Sequence, residues 1–168
     1  LLGGRARMAH FFPLTFTEMP GIDQDHFLHL GGLPSIQTSE TPWEDLRAYV
    51  DIYLKEEIEQ EAQVRRLGNF SRFLYSAALH NGELLNFAAV ASDAQVPEST
   101  VRGYYQILSD TLIGSLVEPY QASKKRKAIQ TAKFYFFDTG VTHAILNLKS
   151  LDRASSNYGT ALEQWIFM

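Results

Sequence analysis

Four consecutive cationic residues are the part of the sequence best suited to binding an anionic ligand: Lys124, Lys125, Arg126 and Lys127. Lysine and arginine neutralise phosphates in a salt-dependent way that carries no sequence information. Residues 121–133 hold five basic residues and no acidic one, whereas residues 40–62 hold eight acidic residues against two basic ones. This asymmetry predicts a local anion-binding face on a chain whose net charge is -4.

A second group of candidate residues lies upstream, at Ser99, Thr100 and Arg102. A recognition helix reaches base edges with short polar or basic side chains near its amino end. Arg102 is the one basic residue in this group, and the neighbouring Glu98 opposes phosphate. The two groups together predict contact with duplex DNA, mainly through its backbone. The alternative is a solvated loop on a module that docks to a protein or acts as a hinge.

A helix-turn-helix is predicted over residues 84–113, LLNFAAVASDAQVPESTVRGYYQILSDTLI. Asn86 can cap the first helix, residues 92–96 form the turn, and Pro97 opens the second helix. The β-prone runs 112–119 and 133–138 lie on either side of the basic segment. Two strands joined by a basic loop after a recognition helix make a wing. The predicted winged helix-turn-helix therefore spans residues 82–138.

The rest of the chain is predicted to be helical apart from one strand at residues 6–16, so the fold class is mainly α with a small β component (α+β). Thr41 and Glu44 suit a capping box that starts a long helix ending at Gly68. Asn69 suits the cap of the next helix, which ends at residues 81–82. Residues 39–81 thus form a helical linker. One helical turn near 25–30, a short helix near 141–148 and a last helix at 159–168 complete the prediction.

The sequence contains no phosphate-binding loop and no pair of nucleophile and base that would predict catalysis. Residues 3–4 and 31–32 are paired glycines without the spacing or the following Lys-Ser/Thr that phosphates need. His26 and His29 share a helical face, but two histidines do not complete a zinc site. Asp138 follows the aromatic run 134–137 and is best explained as a helix cap. Alternation predicts that half of that run faces the core if one face of its sheet is open.

Composition predicts a cytoplasmic protein without a membrane segment. There are no cysteines, which excludes disulfides and thiolate–metal sites. No apolar run approaches the roughly 20 residues that a membrane-spanning helix needs. The sequence begins with Leu1 and ends on the apolar helix pattern ALEQWIFM. These ends lead us to expect a segment of a longer protein.

Three stretches, LNFAAVASDAQVPESTVRGYYQILSDTLI, AKFYFFDTGVTHAIL and ALEQWIFM, resemble the carboxy-terminal region of AAA+-type ATPases that carry a DUF4143 domain. The resemblance implies four parts: residues 1–38 as the tail end of an ATPase core with a strand remnant, 39–81 as a linker or lid, 82–138 as the winged helix-turn-helix, and 139–168 as the start of a truncated nuclease-like domain. It also implies that ATP and magnesium bind in the parent protein, with no cofactor in this segment.

The same resemblance suggests two further site residues, Arg5 as a nucleotide contact and Glu163 as a metal ligand. It makes the chain a binding or regulatory module of an ATP-binding protein that contacts duplex DNA. A protein–protein interaction module, docking to a partner or to the missing ATPase domain, is one alternative, and part of a metal-dependent nuclease is another. No membrane partner is expected, and oligomer formation is compatible with the resemblance.

Overall fold

The computed structural model describes residues 10–54, 58, 67–119 and 132–168, which form a mainly helical α+β fold. Its two β-strands are β1, Gly114–Val117, and β2, Lys133–Phe136. A π-helical segment, Tyr49–Leu54, directly follows the third α-helix. The α-helices of the described residues are α1 Gln24–Leu30, α2 Pro34–Gln37, α3 Pro42–Ala48, α4 Leu67–Leu79, α5 Phe87–Ala94, α6 Glu98–Asp110, α7 Thr139–Leu146 and α8 Ser156–Phe167.

Two helices joined by a short turn, α5 and α6, occupy the range predicted as a helix-turn-helix. The side chain of Asn86 accepts a hydrogen bond from the amide of Ala89 at 3.1 Å, as predicted for the cap of α5. Helix α5 ends at Gln95, whose φ of 55° places it in the left-handed region. That conformation turns the chain sharply, and Pro97 then precedes the first turn of α6.

The sheet brings three segments side by side. Strands β1 and β2 are antiparallel, with Gly114 opposite Phe136 and Val117 opposite Lys133. On the other side of β2, the amide of Gly82 donates to the Phe134 carbonyl at 2.8 Å, and the amide of Leu85 donates to the Ala132 carbonyl at 2.8 Å. The stretch between α4 and α5 therefore runs along β2 and fixes the start of the helix-turn-helix against the sheet.

A core of aromatic rings joins α4, α6 and β2. The Tyr105 ring packs edge-on against Phe73 at 5.0 Å and against Phe134 at 4.8 Å between ring centroids. Tyr104 contacts Phe70 at 5.1 Å in the same arrangement. Edge-to-face pairs at these distances are the favoured geometry of aromatic rings, so α6 is held rigidly on α4.

Both faces of β2 are covered, so the condition of one open face, on which the half-inward prediction depended, is not met. Phe134 and Phe136 face the core, and Tyr135 on the opposite face is also buried. Helix α8 covers that second face, where the Phe167 ring stacks on Tyr135 at 4.4 Å. Period-two alternation still holds along the strand, but both of its sides have partners.

The strand predicted at residues 6–16 is wrong over the part that the structure describes. Residues 10–15 have no regular secondary structure, and Phe16–Glu18 is a 3-10 turn. Pro13 lacks the amide proton that a ladder needs. The amide of Leu14 instead donates to the Gly32 carbonyl at 2.8 Å, which ties this segment to the α1–α2 connection.

The predicted boundaries of the linker helices also need correction. The Thr41 side chain makes no capping hydrogen bond; the Ser39 hydroxyl instead accepts from the Thr41 amide at 2.8 Å. Gly68 and Asn69 lie inside α4 and neither stop nor cap a helix. Helical periodicity identified the buried side chains here, whereas the residue types at the ends were compatible with more than one boundary.

None of the described helices has both the length and the apolar character needed to cross a membrane.

Candidate nucleic-acid interface

Helix α6 presents a polar face with little positive charge. Ser99 and Arg102 are exposed and Thr100 is half-buried, so the three residues predicted on this helix share its outer side. Val101, Tyr105 and Leu108 are buried on the inner side. The exposed face also holds the acids Glu98 and Asp110, which offset the single arginine.

Arg102 is engaged within the module. Its guanidinium forms an ion pair with Glu98 one turn earlier, at 2.6 Å between Nη2 and Oε1. The same group lies over the Phe87 ring of α5, with Cζ 4.0 Å from the ring centroid. A base contact would require Arg102 to leave both partners. Arg102 is exposed on α6, and its cation–π partner Phe87 lies on the preceding helix, so no spacing within α6 points to this contact.

The four wing cations, Lys124 to Lys127, lie outside the described residues, as does Arg5. The segment that contains Lys124–Lys127 begins and ends next to described strands, since β1 ends at Val117 and β2 starts at Lys133. The fifth cation of the basic segment, Lys133, has a partner inside the fold: its ammonium lies 2.7 Å from Glu163 Oε1.

Glu163, which the resemblance offered as a metal ligand and which is otherwise explained as a surface helix acid, has two hydrogen-bond partners within the fold. Glu163 Oε1 accepts from Lys133 at 2.7 Å and from the Tyr135 hydroxyl at 2.6 Å. Hydrogen bonds from Lys133 and Tyr135 lower the pKa of the Glu163 carboxyl. A cation already neutralises this carboxylate, and the described residues contain no cluster of three or more His, Asp or Glu side chains suited to a metal ion. His26 and His29 are part of no such cluster.

His80 fixes the end of α4 to the helix-turn-helix. Its Nδ1 lies 2.8 Å from a Glu83 carboxylate oxygen, and its Nε2 lies 3.1 Å from one of Asp93 in α5. Burial alone would lower the pKa of His80, but the hydrogen bonds to Glu83 and Asp93 raise it overall. Both nitrogens donate only in the imidazolium, so the protonated form holds the two elements together.

A buried polar network, not predicted from the sequence, anchors the base of the sheet. Asn81 Nδ2 donates to Gln164 Oε1 of α8 at 2.8 Å, and Asn81 Oδ1 accepts from the Phe136 amide at 2.9 Å. Gln164 Nε2 donates in turn to the Phe136 carbonyl at 2.9 Å. The network joins residues 83 positions apart, a pairing to which no local pattern in the sequence points.

Asp138 is a helix cap, as predicted, and is also the most deeply buried acid in the described part of the chain. Its Oδ1 accepts from the Val141 amide at 2.9 Å, which caps α7, and its Oδ2 accepts from the Gly32 amide at 2.7 Å. Burial raises the pKa of Asp138 to about 6, although its backbone hydrogen bonds act in the opposite direction. The carboxyl thereby connects the end of the sheet to the α1–α2 connection.

His143 on the same helix has the opposite shift. Burial lowers the pKa of His143 to about 4, and its Nδ1 lies 2.9 Å from the His29 carbonyl. A lowered folded-state pKa contributes stability that is present above pH 6.5 and lost as the pH falls towards 4. The raised pKa of Asp138 contributes stability that is present below the unfolded value of 3.8 and lost as the pH rises through about 6.

Because these two pKa shifts have opposite effects on stability, we expect single substitutions of His143 and Asp138 to change the pH dependence of the unfolding free energy in opposite directions. As the pH falls from 7 to 5, the lowered pKa of His143 decreases the unfolding free energy by about 2 kcal/mol, and the raised pKa of Asp138 increases it by about 1 kcal/mol. We therefore expect His143→Gln to lose less stability than the wild type over this interval, and Asp138→Asn to lose more. Urea unfolding at pH 5, 6 and 7 measures the differences. Parallel pH profiles for all three proteins would contradict the assignment.

Comparison with known proteins yields one family and two curated relatives. A family model described as Domain of unknown function (DUF8612) matches residues 22–152. The uncharacterized proteins Mb2031c of Mycobacterium bovis and Rv2008c of Mycobacterium tuberculosis are each 25% identical to the chain over 152 residues. The match covers 88% of the chain and 34% of each relative, so the chain spans about a third of their length. No solved structure matches the chain significantly.

The resemblance to AAA+-type ATPases with a DUF4143 domain is thereby corrected, because the matching family is a different one. The residues that suggested it have structural roles in this fold: Asp138 caps α7, and Gln164 belongs to the buried network. An ATPase core at residues 1–38, a DUF4143 domain at 139–168, a nucleotide contact at Arg5, and ATP and magnesium in a parent protein rested on that resemblance and lose their basis.

Proposed function

The chain belongs to the DUF8612 family, and from this premise we propose that residues 82–138 form a winged helix-turn-helix that binds duplex DNA mainly through its phosphates. The proposal includes a cytoplasmic location, because a protein that binds cellular DNA must be inside the cell. The observation that supports it best is the order of the elements around the helix-turn-helix.

That order is helix, short connection, two helices, strand, a segment that is basic in sequence, and strand. The connection 82–85 lies beside β2: Gly82 donates to the Phe134 carbonyl, and Leu84 forms an isolated β-bridge with Lys133. The residues before the two helices and the strand after the basic segment are therefore neighbours. A wing needs this arrangement, since it projects the loop between the two strands beside the recognition helix. The sequence places four cations between β1 and β2, Lys124 to Lys127.

The charges favour backbone contacts over base recognition. Arg102 is held by Glu98 and Phe87, and the outer face of α6 is close to neutral. Phosphate neutralisation by lysine and arginine is independent of base sequence and weakens with salt. The proposed module therefore binds duplexes of different sequence with similar affinity.

Fluorescence anisotropy with a labelled duplex of about 20 base pairs, titrated from low to near-physiological salt, tests this proposal. Replacing Lys124, Lys125, Arg126 and Lys127 by alanine should weaken binding at low salt by roughly tenfold or more and lower the salt slope by up to about 0.9 per lost phosphate contact. Arg102→Ala should change the affinity about twofold at most, because that side chain is already paired.

Two double variants test whether the position of the basic residues, and not only the total positive charge of the protein, determines DNA binding. Lys124→Ala/Lys125→Ala and Lys149→Ala/Arg153→Ala each remove two positive charges, but the second pair lies outside the winged unit. The first pair should weaken binding, and the second should leave it close to the wild type. Equal losses from both pairs, or no binding by the wild type at low salt, would reject the proposal.

The second candidate function is a protein–protein interaction module. The ion pair between Arg102 and Glu98 favours it. A helix that keeps its arginine paired presents a nearly neutral polar face, which suits a protein partner better than a polyanion. Absence of DNA binding in the low-salt titration would favour this candidate. The metal-dependent nuclease has no supporting observation among the described residues.

A further inference from the structure

An apolar cavity lies where the segment 12–17 and the end of α8 meet the sheet. Its volume is about 570 Å³, and eight of its fifteen lining residues are aromatic. Its walls come from three parts of the chain: the segment 12–17, the sheet residues 135–137, and the end of α8 from Trp165 onwards. Phe27 of α1, Leu112 and the β1 residue Ser115 complete the lining.

The rings at this cavity are already arranged for aromatic contact. Phe16, Phe27 and Trp165 meet edge-on at one end, with centroids 5.5 to 6.1 Å apart. Tyr135 and Phe167 stack at the other end. Phe12 contributes a wall although 68% of its surface is exposed. An additional ring placed between the two ends would bury apolar surface and find edge and face partners.

The charges around the cavity restrict what it can hold. None of the fifteen lining residues has a charged side chain, and the side-chain hydroxyls on the lining are those of Thr15, Thr17, Ser115 and Tyr135. A charged ligand would lose its hydration here without gaining a counter-charge. The cavity volume is also within the range of about 300 to 1,000 Å³ that is typical of small-molecule sites.

We propose that this cavity is a binding site for a small uncharged molecule with one or more aromatic rings. The site is distinct from the DNA-contacting surface, because its walls are the segment 12–17, the outer face of the sheet and α8. Ring contacts and burial provide the affinity, and the Ser115 hydroxyl at the rim can bond one polar group of the ligand.

The probe for the test is N-phenyl-1-naphthylamine, an uncharged aromatic dye whose fluorescence rises in an apolar site. We expect saturable binding at one site per chain, with energy transfer from Trp165, measured in a Trp43→Phe background where Trp165 is the only tryptophan. Phe12→Ala should weaken dye binding by roughly five- to tenfold, because a wall of the cavity is lost.

Phe11→Ala is the matched control. Phe11 precedes Phe12 directly and is 92% exposed, but it does not line the cavity, so this variant should bind the dye like the wild type. Equal losses in both variants, or dye uptake that does not saturate, would overturn the proposal. Size-exclusion chromatography at the working concentration adds a third check: a dimer that Phe12→Ala dissociates would show that a second copy occupies the cavity, and would also overturn it.

Discussion

Gly140→Ala should destabilise the fold severely, although it adds only one methyl group to a helix. We expect it to cost roughly 4 kcal/mol or more, which for a chain of this size lowers the melting temperature by about 10 °C or more. Gly140 lies in the first turn of α7, where its backbone packs directly on the last turn of α1. A Cβ at this position would overlap the Leu30 carbonyl and approach the Gly31 amide.

The overlap cannot be relieved cheaply, because both partners are fixed backbone. Gly31 has a φ of 77°, and a side chain there would collide with the Asp138 carboxylate. Asp138 in turn holds the Gly32 amide at 2.7 Å. Moving α7 away from α1 to make room would break this hydrogen bond and leave a buried carboxylate with one partner fewer.

Two other helical glycines provide the controls. Gly103 in α6 and Gly159 in α8 have no atoms near the position of an added Cβ. Alanine is the better helix former, so Gly103→Ala and Gly159→Ala should each stabilise the protein by about 0.5 to 1 kcal/mol. Urea unfolding followed by circular dichroism gives all three values. A Gly140→Ala protein as stable as these controls would show that α1 and α7 leave room for a methyl group between them.

Local patterns identified the helices on either side of the sheet and two of their caps, but neither every helix boundary nor the contacts between distant segments. Asn86 and Asp138 were predicted as caps because a cap depends on residues three positions away. The pairing of Lys133 with Glu163 and the stacking of Arg102 on Phe87 depend on which elements meet in space. The metal role of Glu163 was therefore suggested by the family resemblance, and the DNA contact of Arg102 by its position on the predicted recognition helix, without knowledge of these partners.

Local sequence patterns could not predict the cavity either. Its rings come from the aromatic runs at residues 11–16, 134–137 and 165–167, which are separate in the sequence. Each run alone is compatible with an ordinary core strand or helix. The packing of α8 across the sheet brings the last two runs together, and both the Tyr135–Phe167 stack and the hydrogen bond between Asn81 and Gln164 join α8 to the sheet.

The second large effect is expected for Asn81→Ala, which removes the centre of the buried network of Asn81 and Gln164. The substitution leaves the Phe136 amide without an acceptor and Gln164 Oε1 without its closest donor, both in a buried site. Each unsatisfied buried group costs about 1 to 3 kcal/mol, so we expect a total loss of about 3 kcal/mol. The exposed cap variant Asn86→Ala is the matched control and should lose about 1 kcal/mol.

Asn81→Asp distinguishes the loss of hydrogen bonds from the loss of packing. It keeps an acceptor for the Phe136 amide but gives no donor to Gln164, so the exchange of the Phe136 amide proton should stay slow although the protein is destabilised. In Asn81→Ala that proton should exchange far faster. A double-mutant cycle of Asn81→Ala with Gln164→Ala should give a coupling of about 1 to 2 kcal/mol. A coupling near zero would mean that α8 is held on the sheet by its aromatic contacts alone. In that case the cavity would keep its shape without the network, and Asn81→Ala would bind the aromatic dye as tightly as the wild type.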